Sequence, residues 1–319
     1  GLKGRSNDFY FNKKTIIVGR KGSAGEIKLT EEKFWPLDVT YFVTFNEQQY
    51  DVLFLFHLLS LLDLPKLAKG VKPGINRNEV YNLEVNLPPL PEQQRIVTII
   101  DEAFAAIAKA KANAEQNLKN AKELFDSYLH GMFESGKWEK KKWNEVVEIR
   151  SGRNQREVED PNGKYPIIGS AGKVMGYANS FICEEGTTIV GRKGTIDNPM
   201  FIENKFWNVD TAFGLHALNK LDKRFLFYFC RRYDFTKNDK GSGRPSLVKS
   251  DLLQITMPIP SAIEQQIIVR QLDSLEAETQ KLEALYKMKA NNLEELKKSI
   301  LQKAFAGELK TEKEMQYEL

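Results

Sequence analysis

The stretch Ile17-Val18-Gly19-Arg20-Lys21-Gly22 recurs letter for letter as Ile189-Val190-Gly191-Arg192-Lys193-Gly194, 172 residues later. Working outward at the same shift, Lys33-Phe34-Trp35 with Asp38 returns as Lys205-Phe206-Trp207 with Asp210. Lys72-Pro73 returns as Arg244-Pro245, and Glu92-Gln93-Gln94 as Glu264-Gln265-Gln266. Separate blocks sharing one offset make the chain a tandem duplication, and a duplication of this length decides the fold before any single element is assigned.

Each copy changes character at the same point. Before the Glu-Gln-Gln block it carries Gly, Pro, aromatics and short β-branched runs such as Thr15–Val18 and Thr187–Val190, which read as strands. Asp51–Leu62 and Asp222–Arg232 read as short buried helices. Beyond Pro91 and Pro260 good helix formers take over. In the second of these segments Ile268, Leu272, Leu275, Leu282, Leu293, Leu296 and Ile300 recur in steps of three and four, with Thr279, Tyr286 and Lys289 between. The first keeps the register with Ile96, Ile100, Ala103, Ile107, Ala110, Ala114, Ala121, Leu124 and Tyr128. This period describes a coiled-coil seam, with small alanines facing larger leucines. Two rods of roughly 60–65 Å that pair with each other are expected, at ~1.5 Å per residue. Two amphipathic helices, each lying on its own domain, are the alternative.

The fold class expected is therefore α+β: two β-rich modules and two long helices, related by a pseudo-twofold repeat. The boundaries are residues 1–91, helix 92–136, residues 137–262, helix 263–307 and a tail at 308–319. The second copy starts near Trp143. Projected back by the period, Gly1 matches Lys173, so the first module is short by about thirty residues. Either the sequence is truncated there, or the C-terminal end or a second chain supplies those strands.

A chain of 319 residues with 41% hydrophobic and 28% charged residues builds a large core and is not a disordered tail. Cys183 and Cys230 are too few for a disulfide framework, and no Cys/His cluster has zinc spacing. The longest apolar run, Val52–Leu62, is too short to span a bilayer. With no charged-then-apolar leader at Gly1, a cytoplasmic location is expected.

The net charge of +4 is uninformative until it is divided. Residues 1–91 carry 12 Lys/Arg against 10 Asp/Glu, and 137–262 carry 21 against 15. The helical segments are reversed, with 5 against 7 and 9 against 11. The positive excess thus sits in the globular modules, where polyanion contacts would use it. Its placement is sharper. Arg20-Lys21 and Arg192-Lys193 are bracketed by glycines directly after a strand. Lys69 to Gly74, with Lys72, and Lys240 to Pro245, with Ser242 and Arg244, form a second basic loop in each copy. Glycine permits close approach of backbone to phosphate while cations supply charge. The plain alternative is that the glycines only shape turns. Base specificity would have to come from loops that differ between the copies, and Arg153, Asn154, Gln155, Arg156 and Lys173 have the chemistry of base-edge contacts. Phe34, Trp35, Phe206 and Trp207 are expected in the core, and Asp38 and Asp210 in turns or caps.

Together these residues resemble the DNA-specificity subunit of bacterial type I restriction-modification systems. The diagnostic stretches are Leu87-Pro88-Pro89-Leu90-Pro91-Glu92-Gln93-Gln94-Arg95-Ile96 and Ile259-Pro260-Ser261-Ala262-Ile263-Glu264-Gln265-Gln266-Ile267-Ile268, with Tyr165 to Gly172 and Ala304 to Leu309. The resemblance covers essentially the whole chain. It implies two target-recognition domains, each reading one half of a split double-stranded DNA target, and an antiparallel helix pair that sets the unread spacer. It also implies docking of two methyltransferase subunits and, through the complex, of restriction-translocase subunits. S-adenosylmethionine and ATP would then belong to those partners, and this chain would hold no cofactor and no metal and perform no catalysis.

The residues agree with that implication. No Asn/Asp-Pro-Pro-aromatic methyltransferase motif is present, and Gly241-Ser242-Gly243-Arg244-Pro245 lacks the ending of a phosphate-binding Walker loop. His57, His130 and His216 have no Ser, Cys or carboxylate at motif spacing; His57 reads as a core residue and His130 as a helix-end contact. The competing classes are the recognition subunit of a bifunctional type II-like system, a coiled-coil adaptor that does not bind DNA, and a nuclease with divergent catalytic residues.

Overall fold

The structure, a computed structural model, describes residues 2–31 and 33–308. Beyond Glu308, the tail expected over 308–319 lies outside the described residues. In chain order the elements are β1 (Thr15–Gly19), β2 (Ile27–Thr30), β3 (Thr40–Phe42), α1 (Val52–Leu61), α2 (Arg77–Tyr81), α3 (Leu90–Ser135), β4 (Glu139–Lys142), α4 (Trp143–Val146), β5 (Val147–Ser151) and β6 (Tyr165–Ile168). They continue with β7 (Val174–Ala178), β8 (Thr187–Gly191), β9 (Met200–Ile202), β10 (Trp207–Asn208), β11 (Ala212–Ala217), α5 (Lys223–Arg232), α6 (Lys249–Leu252), β12 (Thr256–Ile259) and α7 (Ala262–Phe305). The described residues divide into two compact units, one from the segments up to 116 and from 285 onward, the other over 117–284. Each long helix therefore contributes to both units.

The second unit is the fuller one. A four-stranded sheet in the order β5-β11-β8-β9 is antiparallel throughout. A second sheet, β10-β6-β7, combines one parallel and one antiparallel pairing. Strand β8 is buried at every position, as its unbroken Thr-Thr-Ile-Val-Gly run requires. The core gathers Trp143, fully buried, with Phe225, Phe229 and Phe235 of the α5 region and Phe125, Leu129 and Phe133 from α3. In the first unit the sheet is β2-β1-β3, the counterpart of β9-β8-β11. Counterparts of β4 to β7 are absent among the described residues of that unit.

The repeated Glu-Gln-Gln block holds each short helix against its long one. Gln93 is fully buried; its Oε1 accepts the Asp51 N–H at 2.9 Å, and its Nε2 donates to the carbonyls of Gln49 (3.0 Å) and Pro88 (2.8 Å). Gln265 repeats the arrangement, accepting from Asp222 N–H at 2.7 Å and donating to Lys220 and Pro260. Asp51 and Asp222 in turn cap α1 and α5 through their carboxylates. In the second unit a polar network adds to this. Tyr228 Oη donates to Asp273 at 2.5 Å, and Arg224 and Arg231 pair with Asp273 and Glu276 at 2.7 and 2.6 Å.

Within each unit the helix halves pair antiparallel. In the first, Lys111 pairs with Glu294 (2.8 Å), Lys297 lies over Phe104, and Ile100 clusters with Ala304. In the second, Lys122 pairs with Glu283 (3.2 Å) and Tyr128 meets Gln271. Ile96, Ile100, Ile107, Ile268 and Leu272 are buried, and Leu275, Leu293 and Ile300 half-buried, as the seam requires.

Four seam assignments are corrected. Leu124 is 63% exposed, and Tyr128, Leu282 and Leu296 are also exposed. An α-helix of 3.6 residues per turn drifts ~20° per heptad against a 3.5 repeat, so the buried stripe moves round the helix. Past Ala121 it passes to Phe125 and Leu129, while Glu283 and Lys297 take the half-buried places beside Leu282 and Leu296.

Trp35 is a further correction. Phe206 and Trp207 are buried, but Trp35 is 54% exposed, with Tyr10 against its edge, and Phe34 is half-buried. Trp207 is covered because β6 pairs with β10 and its indole donates to the Arg153 carbonyl. The first unit has no described equivalent of either. His130 is corrected too: it is exposed on α3, which continues to Ser135.

Candidate nucleic-acid interface

The basic loops that are far apart in sequence meet at one end of each sheet. In the second unit β8 ends at Gly191 and turns sharply: a Cβ there would lie 1.7 Å from the Thr195 carbonyl oxygen, so only glycine fits. Gly194 follows with φ +90. Its N–H donates to the Pro245 carbonyl at 2.9 Å, Lys193 bridges to Ser246, and Leu247 N–H donates to the Arg192 carbonyl at 2.8 Å. The first unit repeats this: Gly22 N–H to Pro73 (3.1 Å), Lys21 against Gly74, and Ile75 N–H to the Arg20 carbonyl (2.9 Å).

The two cations of each loop have different settings. Arg192 is half-buried; its N–H reaches the Thr211 carbonyl at 2.7 Å, its guanidinium the Asp210 carbonyl at 3.4 Å, and it lies over the Phe213 ring. Arg20 does the same with Val39, Asp38 and Tyr41. Each arginine thereby ties its loop to the sheet, and Asp38 and Asp210 act through backbone carbonyls in turns. Lys21 and Lys193 are exposed beside them. So are Lys72 and Arg244, and the Arg244 guanidinium lies across Gly194. Lys69 and Lys240 pair with Glu79 and Asp251 at 2.5 and 3.7 Å, which reduces the charge they offer. Ser242 is exposed at the loop tip.

The candidates Arg153, Asn154, Gln155, Arg156 and Lys173 join the same end of the second unit. Gly152 N–H donates to Ala212 and Arg153 N–H to Asn208, at 3.1 and 3.0 Å. Val209 N–H donates to Ile168, whose next residue opens the turn closed by Gly169 N–H and the Lys173 carbonyl. Arg153, Arg156 and Lys173 are exposed. Asn154 is partly committed, since its Oδ1 accepts the Arg156 N–H at 3.1 Å, and Gln155 is half-buried.

Sequence reasoning missed Asp239. Its Oδ1 accepts the N–H groups of Gly241 and Ser246, both at 2.8 Å, and these bonds hold its carboxyl below the usual range. An Asp two residues before a Gly-Ser-Gly turn was the available signal. His216 is half-buried on β11 beside Thr187 at 3.2 Å. Burial, and then the Arg150 charge, push it down to about 4. Burial pushes the Cys183 thiol up to about 12 and keeps it inert. Among the described residues, no group of three or more His, Cys, Asp or Glu could hold a metal ion, and no helix is long and apolar enough to cross a membrane.

Two modules with clasped basic loops match known proteins. The sequence model of the type I restriction modification DNA specificity domain matches residues 1–119 and 135–290. The specificity subunit of the type I restriction enzyme MjaVIII from Methanocaldococcus jannaschii is 24% identical, over 97% of this chain and 82% of its own. A putative type I specificity subunit of Mycoplasma pneumoniae is 24% identical over 86% of this chain and 78% of its own. Among solved structures, a chain from a study of complex assembly and conformational transition of the type I restriction-modification system superposes with a TM-score of 0.81 at 19% identity. It covers 92% of this chain and 82% of that one. The HsdS subunit from Thermoanaerobacter tengcongensis gives 0.61 at 19%, over 92% and 81%. With the family's model matched along most of its length and the fold shared, this chain belongs to the type I restriction-modification DNA specificity family.

Proposed function

We propose that this chain is the DNA-recognition subunit of a type I restriction-modification complex. Each module takes one half of a bipartite target, and the paired helices set the spacer and carry two methyltransferase subunits, with restriction-translocase subunits joining through them. The chain itself carries out no chemistry in this reading; S-adenosylmethionine and ATP are used by the partners. The observation that carries it is the clasp between the two basic loops, repeated in both units, which presents Lys21 with Lys72 and Lys193 with Arg244 at one end of each sheet. Main-chain hydrogen bonds fix these loops and so support a phosphate-facing role for their exposed cations, while the exposed Arg153, Arg156 and Lys173 have the chemistry to meet base edges. Binding of duplex DNA by the chain assembled with its methyltransferase subunits, measured against salt, tests this. A steep fall of affinity with salt is expected. An adaptor that binds only protein would show no DNA affinity at any salt concentration.

A further inference from the structure

The second unit exposes an apolar pair among its cations. Val174 and Met175 are 56% and 58% exposed, at the start of β7 and immediately after Lys173. Consecutive residues of a regular strand point to opposite faces. Here the pairing with β6 shifts: Ile167 faces Gly176, Ile168 faces Val174, and Met175 is the extra residue of a β-bulge. Bulges re-aim side chains and are found beside functional sites. Met175 leans over the turn, its sulfur 2.9 Å from where a Gly169 Cβ would stand, and Met200 packs against Gly172. Strand β7 is the edge of its sheet, and Val158–Asp160 cover that edge at Tyr177 and Ala178, away from the bulge.

We propose that Val174 and Met175 read the C5-methyl group of a thymine in the major groove of the half-site bound by the second module. The inference rests on the DNA-recognition reading above and adds a ligand chemistry to it. Lys173, Arg153, Arg156, Lys193 and Arg244 share this end of the unit, and their charge complements a polyanion rather than an apolar protein face. A two-stranded ribbon fits the major groove, and the thymine methyl is the apolar group presented there. Two side chains without hydrogen-bonding hydrogens leave a guanine or cytosine edge unsatisfied at the same place, which gives discrimination as well as contact.

The test uses the chain assembled with its methyltransferase subunits and duplexes bearing the methylation motif of that complex. Each thymine of the second half-site is replaced in turn by deoxyuridine, which removes only the methyl group. One such replacement should weaken binding about three- to tenfold. The paired substitution Val174→Ser with Met175→Ser should abolish that difference while leaving the first half-site's preferences intact, and Met175→Leu should retain it. Three outcomes overturn the inference and leave DNA recognition standing: no sensitivity to deoxyuridine, a half-site of G·C pairs alone, or an assembled double variant that keeps the wild-type sensitivity to deoxyuridine. A wild-type complex with no sequence preference at all overturns both.

Discussion

The Gly194 N–H donates to the Pro245 carbonyl at 2.9 Å, joining two loops half a module apart in sequence. The close approach explains the glycines of the first loop: a Cβ on Gly191 would strike Thr195, and one on Gly194 would lie 3.0 Å from the Arg244 guanidinium. The clasp separates two jobs that the sequence writes side by side, because Arg192 is used to hold the loop and Lys193 is left outside it.

That separation predicts different phenotypes for neighbouring residues. Lys193→Ala should leave thermal stability unchanged and lower the slope of log affinity against log salt by roughly one. Arg192→Ala should lower the melting temperature as well, through loss of the Asp210 bond and the Phe213 contact. Equal melting temperatures for the two variants would count against the division.

Gln265 should be costly to replace. Gln265→Ala leaves Asp222 N–H and the Lys220 and Pro260 carbonyls without their partner around a site where the side chain is 1% exposed. The expected loss is about 2–4 kcal/mol, read from denaturant unfolding, and a loss below about 0.5 kcal/mol would contradict the clamp.

The seam makes a graded prediction. Leu272→Asp places a carboxylate where the side chain is fully buried and should unfold the second unit or lower its stability by more than ~3 kcal/mol. Leu282→Asp, at a position 39% exposed, should cost less than about 1 kcal/mol. Comparable losses at both would restore Leu282 to the seam.

His216 gives a pH signature. Its folded pKa is pushed down to about 4 from an unfolded value near 6.5. Between those values the unfolded chain binds the extra proton. The histidine's contribution is therefore complete above about pH 6.5 and is lost as the pH falls toward 4. His216→Gln should flatten the drop in melting temperature between pH 7 and pH 5; an unchanged slope would place the titration elsewhere.

Much of this was legible in the residues because duplication marks what is shared. The repeat at 172 residues located both modules, both long helices and all four basic loops. It could not say that Lys21 meets Gly74, or Lys193 Ser246, since strand ends converge only through pairing. Gln93 and Gln265 were visible as a motif, but their hydrogen bonds to residues over forty positions away were not. The seam positions expected in the first long helix are buried or half-buried as far as Ala121 and exposed at Leu124, where helix drift and the aromatic core of the second unit select Phe125. Trp35 was misplaced because burial of its counterpart depends on β6, which pattern matching alone does not supply.

The most direct test of DNA recognition is a genome-wide map of DNA methylation in cells carrying this chain with its partner subunits, compared with cells lacking it and cells carrying Arg153→Ala with Lys173→Ala. The account predicts a two-part motif that vanishes without the chain, and whose second half alone is relaxed in the variant. A methylation pattern indifferent to the presence of the chain would contradict it.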